Sequence, residues 1–280
     1  MNTMNSSILD SQRIQEAYAH VQQRVKQTPR VALILGTGLG QFADRIENPV
    51  AISYADIPHF PHSSAPDHKG QLVSGSIKGV PLIAMQGRFH LYEGHPINDA
   101  ILPVHVMRKL GADILIVSNA SGGVNTKLSG GDILVINSHI NLTFRVNPQL
   151  AALTQTRNNT KSPIYDPQLI EDAMETGRRA GFYLQQGCYV ALTGPNYETR
   201  SEYRMVRKIG GDVVGMSTVP EVLVAHALGM RVLALSAVTN VAKPDALVET
   251  TAEGVIDIAQ LAEPKLNAIV MTIVDNINRK

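Results

Sequence analysis

The chain has 280 residues, of which 44% are hydrophobic and 18% are charged, with a formal net charge of +1 and a single cysteine. This length allows one large domain or two small ones, and one cysteine excludes an intrachain disulfide and a cysteine-based zinc site. The balanced charge, without a block of Lys and Arg, gives no reason to expect nucleic acid or an anionic membrane as a partner.

The first 18 residues lack the basic start and apolar core of a secretion signal. No apolar run in the sequence approaches the roughly 20 residues that span a bilayer. We therefore expect a soluble cytoplasmic protein.

Short aliphatic runs alternate with helical patterns along the chain. An amphipathic helix over about 11–26 comes first, and the candidate strands are 31–35, 80–85, 114–117, 133–136, 189–192, 212–214 and 232–237. The later helical patterns are 98–110, 167–180, 199–209, 218–228 and one from about residue 251 onward. Most of the strands are nearly continuous apolar runs, typical of strands covered on both faces, so the alternation predicts an α/β fold in a single domain.

Two of the helical patterns begin with Thr-x-x-Glu, the sequence of a capping box. The pairs are Thr199 with Glu202 and Thr218 with Glu221, and glycine ends both helical patterns. In a capping box the threonine hydroxyl and the glutamate carboxylate each accept a hydrogen bond from a backbone N–H at the helix start. We predict that both helices begin in this way.

Residues 85–95 read MQGRFHLYEGH and directly follow a strand pattern. If the strand continues, its period of two sends Arg88, His90 and Tyr92 to one face and Phe89 to the other. A guanidinium suits phosphate or carboxylate, and an imidazole adds a donor. The segment predicts either an oxyanion site beside a hydroxyl-rich ligand or an ordinary polar strand end, and Glu93 is expected to orient His90.

A glycine-rich turn follows the first strand pattern, at a place where ligands collect in α/β sheets. Residues 36–40 read GTGLG, but Gln41 stands where a dinucleotide fingerprint needs glycine, and no GK[ST] follows. The remaining alternatives are a turn that holds an anion through its N–H groups and the Thr37 hydroxyl, or a turn without a ligand.

Further polar residues follow later strand patterns. Ser217 stands at a helix start, where N–H groups favour an anion, although helix capping is the plain alternative. Glu198 and Asn240 offer hydrogen bonds to a heterocycle, and Tyr197 offers a ring to stack on it. The plain alternatives are that Glu198 caps a helix, that Asn240 belongs to a turn and that Tyr197 is a core residue. The histidines match no metal-binding motif, and no GxSxG elbow occurs, so we expect no metal site.

Eight longer motifs occur in one order within residues 33–242: LILGTGLG, PDHKGQLVSG, MQGRFHLYEGHP, SNASGGVN, GDILVINSHINL, GPNYETRSEYR, GGDVVGMSTVPEV and AVTNVA. On these motifs the chain resembles the trimeric purine nucleoside phosphorylases, a family that includes the methylthioadenosine phosphorylases. The resemblance implies a single domain over 1–280, with a mixed central β-sheet and a distorted barrel flanked by helices, and residues 1–28 packed on it. It also implies a homotrimer.

The same resemblance implies the site. For phosphate it implies Thr37, His68, Arg88, His90, Ala120 and Ser217, with Ala120 acting through its backbone N–H. For ribose it implies Tyr92 and Met216, and for the base Tyr197, Glu198, Val214 and Asn240.

The implied reaction is reversible phosphorolysis of a purine nucleoside to free purine and (deoxy)ribose 1-phosphate. Inorganic phosphate is the co-substrate, without a cofactor or metal, and Asn240, Glu198 and His90 are the catalytic candidates. Asn240 points to the 6-oxopurines of inosine and guanosine, because the methylthioadenosine phosphorylases carry Asp there.

Two segments depart from the family pattern. Residues 243–255 contain no histidine where the family usually contacts the ribose 5′-hydroxyl, and Ala252 falls nearest that position. Residues 143–165 lack the FG-x-RFP segment that closes a neighbouring site, which leaves Phe144 and Tyr165 as candidates. The alternatives are therefore a methylthioadenosine or methylthioinosine phosphorylase and a non-catalytic nucleoside- or phosphate-binding protein.

Overall fold

The fold is that of a computed structural model, which describes residues 2–37, 40–62, 68–144, 163–242 and 251–278. The helices are α1 (Asn2–Gln22), α2 (Ile97–Lys109), α3 (Pro167–Ala180), α4 (Arg200–Lys208), α5 (Val219–Ala227) and α6 (Ala252–Asn278). The strands are β1 (Val31–Leu35), β2 (Glu47–Ser53), β3 (Gln71–Ile77), β4 (Val80–Gln86), β5 (Ile114–Gly123), β6 (Ile133–Asn141), β7 (Leu184–Ala191), β8 (Val213–Gly215) and β9 (Arg231–Val241).

All these strands form one sheet with the order β2-β3-β4-β1-β5-β8-β7-β6-β9. Strand β5 also pairs with β9, so β5, β8, β7, β6 and β9 close into a five-stranded barrel, and the other four strands extend it as an open sheet. Strand β1 is parallel to β4 and β5, whereas β8 is antiparallel to β5 and β6 is antiparallel to β9. The predicted mixed sheet with a barrel and flanking helices is confirmed.

The core lies between the sheet and the helices. All five residues of β1 are buried, which agrees with its uninterrupted aliphatic sequence. The amino-terminal helix α1 buries Ala17 and Val21 in this core, and Arg13 on α1 pairs with Asp99 on α2 at 2.7 Å. None of the helices within the described ranges is sufficiently long and apolar to cross a membrane.

All seven predicted strands occur, but β2 and β3 were not predicted. Strand β2 exposes most of its residues and contains Pro49, so it lacks the apolar signal that marked the others. The condition that β4 continues through Arg88 is not met. The strand ends at Gln86, because Gly87 has a φ of +106° and turns the chain out of the sheet.

The two capping-box predictions have different outcomes. Thr199 and Glu202 form the box at the start of α4, with bonds from each side chain to the other residue's backbone. The second prediction is wrong. Thr218 makes no side-chain cap bond at the start of α5, and its φ is +75°. Its hydroxyl is engaged by a buried arginine instead.

Candidate active site

One cavity brings together all twelve residues that the resemblance assigns to the site: Thr37, His68, Arg88, His90, Tyr92, Ala120, Tyr197, Glu198, Val214, Met216, Ser217 and Asn240. Its lining also includes Gly36, Asn119, Ser121, Gly122, Tyr203, Gly215, Thr239, Val255 and Ile256. Their common location does not assign a role to any one of them, and those roles remain predictions.

Strand direction explains how the segment after β8 reaches this cavity. Val213 and Val214 of β8 pair in antiparallel fashion with Gly123 and Gly122 at the end of β5. The chain after β8 therefore runs back along β5, and Thr218 meets Asn119, whose Nδ2 donates to the threonine hydroxyl at 2.9 Å. A three-residue strand thus places Met216 and Ser217 over the middle of β5.

Arg88 is the buried cation of the site, with 1% of its surface exposed. Its Nη1 donates to the hydroxyls of Ser217, at 2.8 Å, and Thr218, at 2.9 Å. Its Nε lies 3.6 Å from the carboxylate of Glu221, which is 5% exposed. A buried guanidinium requires such compensation, because an unpaired charge in the interior is strongly unfavourable.

Thr218 and Glu221 therefore hold Arg88 from the start of α5. The Thr218 hydroxyl accepts from Arg88 and Asn119, and the Glu221 carboxylate faces the guanidinium. These are the two residues whose spacing predicted a capping box. A buried arginine nearby competes with the backbone for the same oxygens, and the sequence gives no sign of that competition.

Three aromatic rings stack beside Arg88. The rings of His68 and His90 have centroids 5.5 Å apart, and those of His90 and Tyr92 are 4.7 Å apart. Burial, followed by the charges of His90 and Arg88, lowers the pKa of His68 from 6.5 to about 4, so this ring is neutral at neutral pH. Gly87 permits the arrangement, because a Cβ there would lie 2.7 Å from the Cβ of His68.

Glu93 orients His90, as predicted. Its Oε1 accepts hydrogen bonds from the backbone N–H of His90, at 2.8 Å, and from Nδ1 of the same residue, at 3.1 Å. The Nδ1 side of the imidazole is thereby fixed, which leaves Nε2 for a ligand in the cavity.

Tyr92 and Met216 line the cavity, and Gly194 packs closely against both. A Cβ on Gly194, whose φ is +73°, would lie 2.3 Å from Sδ of Met216 and 3.2 Å from Cδ1 of Tyr92. Only glycine lets the chain pass this close to both side chains. Tyr197 lies next along the wall and is 47% exposed, so the alternative that it belongs to the core is wrong.

Glu198, Tyr203 and Asn240 line the same cavity. Burial raises the pKa of Glu198. Thr239 Oγ1 lies 3.3 Å from Oδ1 of Asn240. Glu198 does not cap α4, because Thr199 and Glu202 perform that function.

The remaining predicted positions also line the cavity. Gly36 follows β1 and packs against β5, since a Cβ there would lie 2.6 Å from the backbone oxygen of Ser118. Thr37 comes next and lines the cavity, whereas Gly38 and Leu39 of the same turn lie outside the described residues. Ala120 lines the cavity from within β5, and Val214 lines it from β8.

The structure distinguishes the two aromatic candidates for closing a neighbouring site. Tyr165 is 3% exposed and its hydroxyl hydrogen bonds Nδ1 of His139 at 2.9 Å, so it cannot reach another subunit. Phe144 is 86% exposed. Residues 145–162 and 243–250 lie outside the described part of the chain, and so does the side chain of Ala252.

Sequence reasoning missed Tyr203 and the paired role of Thr218 and Glu221. It also missed Val255 and Ile256, which enter the cavity from the first turns of α6. Among the residues that the structure describes, no group of three or more His, Cys, Asp or Glu side chains is arranged to hold a metal ion.

The model of the phosphorylase superfamily matches residues 30–275 of this sequence. The chain belongs to the phosphorylase superfamily. Its relatives within the superfamily confirm the resemblance to purine nucleoside phosphorylases. Purine nucleoside phosphorylase 1 of Bacillus subtilis is 48% identical over 82% of this chain and 86% of its own length. Purine nucleoside phosphorylase 1 of Geobacillus stearothermophilus is 41% identical over 94% of this chain and 97% of its own.

Solved structures of this superfamily share the fold. A Schistosoma purine nucleoside phosphorylase in complex with hypoxanthine superposes with a TM-score of 0.87 at 35% identity, covering 95% of this chain and 97% of the other. The Schistosoma mansoni enzyme in complex with adenosine gives a TM-score of 0.84 at 34% identity over the same shares.

Proposed function

We propose that this protein is a purine nucleoside phosphorylase that cleaves 6-oxopurine nucleosides, such as inosine and guanosine, with inorganic phosphate. Its relatives of 37–48% identity that carry this name support the reaction. The observation that carries the substrate class is that Glu198 and Asn240 line the same cavity as Arg88.

Phosphate binds in the part of the cavity that holds Arg88, Ser217 and the two histidines. The guanidinium is already desolvated and fixed by Thr218 and Glu221, so it needs little reorganisation to meet an anion. The Nε2 of His90 adds a bond to a phosphate oxygen or hydroxyl, and the backbone N–H of Ala120 and the Thr37 hydroxyl complete the site.

The purine binds beside Glu198 and Asn240. Glu198 accepts hydrogen bonds from ring N–H groups, Asn240 donates to N7 and O6, and Tyr197 and Val214 contact the ring. Tyr92 and Met216, which both line the cavity, contact the ribose.

The reaction is a group transfer of the pentosyl unit without a covalent enzyme intermediate. The bond between C1′ and N9 breaks, and its electron pair goes to the purine, where Asn240 stabilises the charge at N7. A phosphate oxygen then forms the bond to the cationic C1′. The protein contributes placement of the two reactants and preorganised charge, which together lower the barrier.

One assay tests the proposal. Release of free base is measured from inosine, guanosine, adenosine and methylthioadenosine, each with and without phosphate. We expect phosphate-dependent cleavage of inosine and guanosine, and loss of at least about 100-fold in kcat/KM on inosine for Asn240→Ala. Absence of phosphate dependence with every nucleoside would support the non-catalytic alternative, and unchanged turnover by the variant would remove Asn240 from the mechanism.

The methylthio alternative retains one observation in its favour. Residues 243–255 contain no histidine to meet a ribose 5′-hydroxyl, so the site has no evident preference for that group. Higher kcat/KM on methylthioadenosine than on inosine in the same assay, or on methylthioinosine added to it, would establish this alternative.

We also propose that the protein is a homotrimer in the cytoplasm. It needs no cofactor, and inorganic phosphate is its co-substrate. Exposed Phe144 supports the assembly, because a phenylalanine that is 86% exposed is suited to contact with another copy. The single cysteine suits a reducing compartment. Light scattering after size exclusion tests the trimer, and cell fractionation tests the location.

A further inference from the structure

Ser236 is a fully buried serine of β9, so it can influence a ligand only through the residues that it contacts. It pairs with Asn119 in the parallel register of β5 and β9. Its Oγ lies 2.6 Å from Oδ1 of Asn119 and 2.7 Å from Oγ of Ser121, and both of these partners line the cavity. The Ser236 hydroxyl therefore supports the cavity wall from behind.

The amide of Asn119 connects Ser236 to the start of α5. Ser236 donates its single proton to Oδ1 of Asn119, and Nδ2 of the same amide donates to Oγ1 of Thr218 at 2.9 Å. Asn119 is 2% exposed and Thr218 is fully buried, so water does not compete for these groups. The Ser236 hydroxyl thereby determines which half of the amide faces Thr218.

The position of these donors determines where the Thr218 proton goes. Oγ1 of Thr218 accepts from Asn119 and from Nη1 of Arg88, at 2.9 Å each, which occupies both of its lone pairs. Oγ of Ser217 lies 3.1 Å from the same oxygen. The Thr218 hydroxyl therefore donates its own proton to Ser217.

Ser217 in turn receives two hydrogen bonds. The two hydrogens of Arg88 Nη1 go to Ser217, at 2.8 Å, and to Thr218, and the second bond to Ser217 comes from the Thr218 hydroxyl. With both lone pairs of its Oγ occupied, Ser217 has only its proton to offer in the cavity that it lines. An O–H donor of this kind matches a ligand oxygen that only accepts.

On the basis of the proposed function, we propose that Ser236 is a positioning residue for the anion: through Asn119 and Thr218 it directs the Ser217 proton toward a deprotonated oxygen of the bound oxyanion. In the opposite orientation of the amide, Thr218 would donate to Asn119, and Ser217 could then accept from a protonated ligand oxygen. The Ser236 hydroxyl stabilises the first orientation, because Oδ1 of Asn119 is its acceptor.

Sulfate and phosphate test this direction without turnover. Sulfate has no proton at neutral pH and can only accept, whereas the phosphate dianion keeps one hydroxyl that can donate. For Ser236→Ala we expect calorimetry to show a sulfate Kd raised about tenfold or more and a phosphate Kd raised by no more than about threefold. The hypoxanthine Kd should stay within about twofold, because none of these hydrogen bonds involves a residue proposed for the base.

Two further variants accompany Ser236→Ala. Ser74→Ala is the matched control, since Ser74 is likewise a buried serine of a strand, and we expect wild-type values for it with both anions. Ser236→Cys keeps a similar volume and has a weaker donor, so it should raise the sulfate Kd by a smaller factor. This variant keeps the comparison in place if the alanine variant does not fold.

A merely structural role for Ser236 predicts another pattern. Equal increases in the Kd of sulfate and phosphate would overturn the proposal, and so would unchanged values for both anions or a parallel loss of hypoxanthine binding. Absence of sulfate binding by the wild type would contradict it as well, because a proton donor at Ser217 suits that anion.

These measurements also separate the proposal from the proposed function. A selective loss of sulfate binding supports the role of Ser236 even if no nucleoside is cleaved with phosphate. Equal changes for the two anions contradict that role even if the wild-type protein is an active phosphorylase.

Discussion

Nη1 of Arg88 donates to Oγ1 of Thr218 at 2.9 Å, and Thr218 adopts a φ of +75°. A β-branched residue in that region is strained by about 1–3 kcal/mol, and the surrounding structure has to offset the strain. The same hydroxyl also accepts from Asn119, so one strained residue anchors the buried guanidinium to the sheet. Such strain is consistent with a functional position.

Two substitutions of Thr218 test the effect of its hydroxyl separately from the effect of its branched side chain. Thr218→Val keeps the branched side chain and removes the bond to Arg88, so we expect the phosphate KM to rise about tenfold. Thr218→Ser keeps the hydroxyl and should stay close to the wild type. Initial rates at varied phosphate give the phosphate KM of each variant. Equal KM values for the two variants would show that the hydroxyl does not contribute to phosphate binding.

Glu221 compensates the charge of Arg88. Glu221→Gln leaves a buried cation without its counter-ion, so we expect about 3 kcal/mol less free energy of unfolding. We also expect a lower phosphate KM if the variant folds, because the guanidinium then meets the anion without a competing carboxylate. Urea unfolding and phosphate kinetics measure the two effects. Glu171→Gln, at an exposed ion pair on α3, is the control and should change neither.

Glu93 fixes the imidazole of His90 from its Nδ1 side. Glu93→Ala frees the ring to rotate away from the cavity, and we expect kcat/KM on inosine to fall about tenfold or more. Glu47→Ala removes a surface carboxylate in β2 and serves as the control. Initial rates at varied inosine and saturating phosphate measure this value, and equal kcat/KM for the two variants would exclude an orienting role.

His139 links stability to pH. Burial lowers its pKa from 6.5 to about 4, so the unfolded chain binds this proton more readily than the folded protein between those values. The free energy of unfolding should therefore fall as the pH drops from about 6.5 to about 4 and level off below. His68 contributes in the same direction. Urea unfolding at a series of pH values should show a shallower dependence for His139→Gln, and an identical slope would contradict this account.

Searching the ends of the predicted strands found the residues of the site, but some of these residues reach the cavity for a different physical reason. The rule that ligands collect beyond the carboxyl ends of parallel strands holds for β1, whereas its parallel neighbour β5 contributes Ala120 from within the strand. Ser217 follows a strand that is antiparallel to β5, and it reaches the cavity because that short strand directs the chain back along β5. The amino-acid sequence around residues 213–218 does not show that this strand runs antiparallel to β5.

The residues that sequence reasoning missed all act through tertiary contacts. Thr218 and Glu221 have the spacing of a capping box, and only the buried Arg88 changes their partners. Tyr203 looks like an ordinary helical residue, since its place in the cavity depends on how α4 packs on the barrel. Local patterns predicted most of the helices and strands, but not which side-chain contacts form between them.

Closure of the barrel has a consequence for how copies of this chain can associate. Among the strands of the described residues, β2 alone has a single neighbour, so it is the open edge of the whole sheet. Pro49, a φ of +50° at Asn48 and a register shift between Glu47 and Val50 interrupt that edge. An interrupted edge of this kind resists the addition of a foreign strand. Association therefore depends on packing between side-chain surfaces, which protects a protein with so large a sheet from uncontrolled strand-to-strand aggregation.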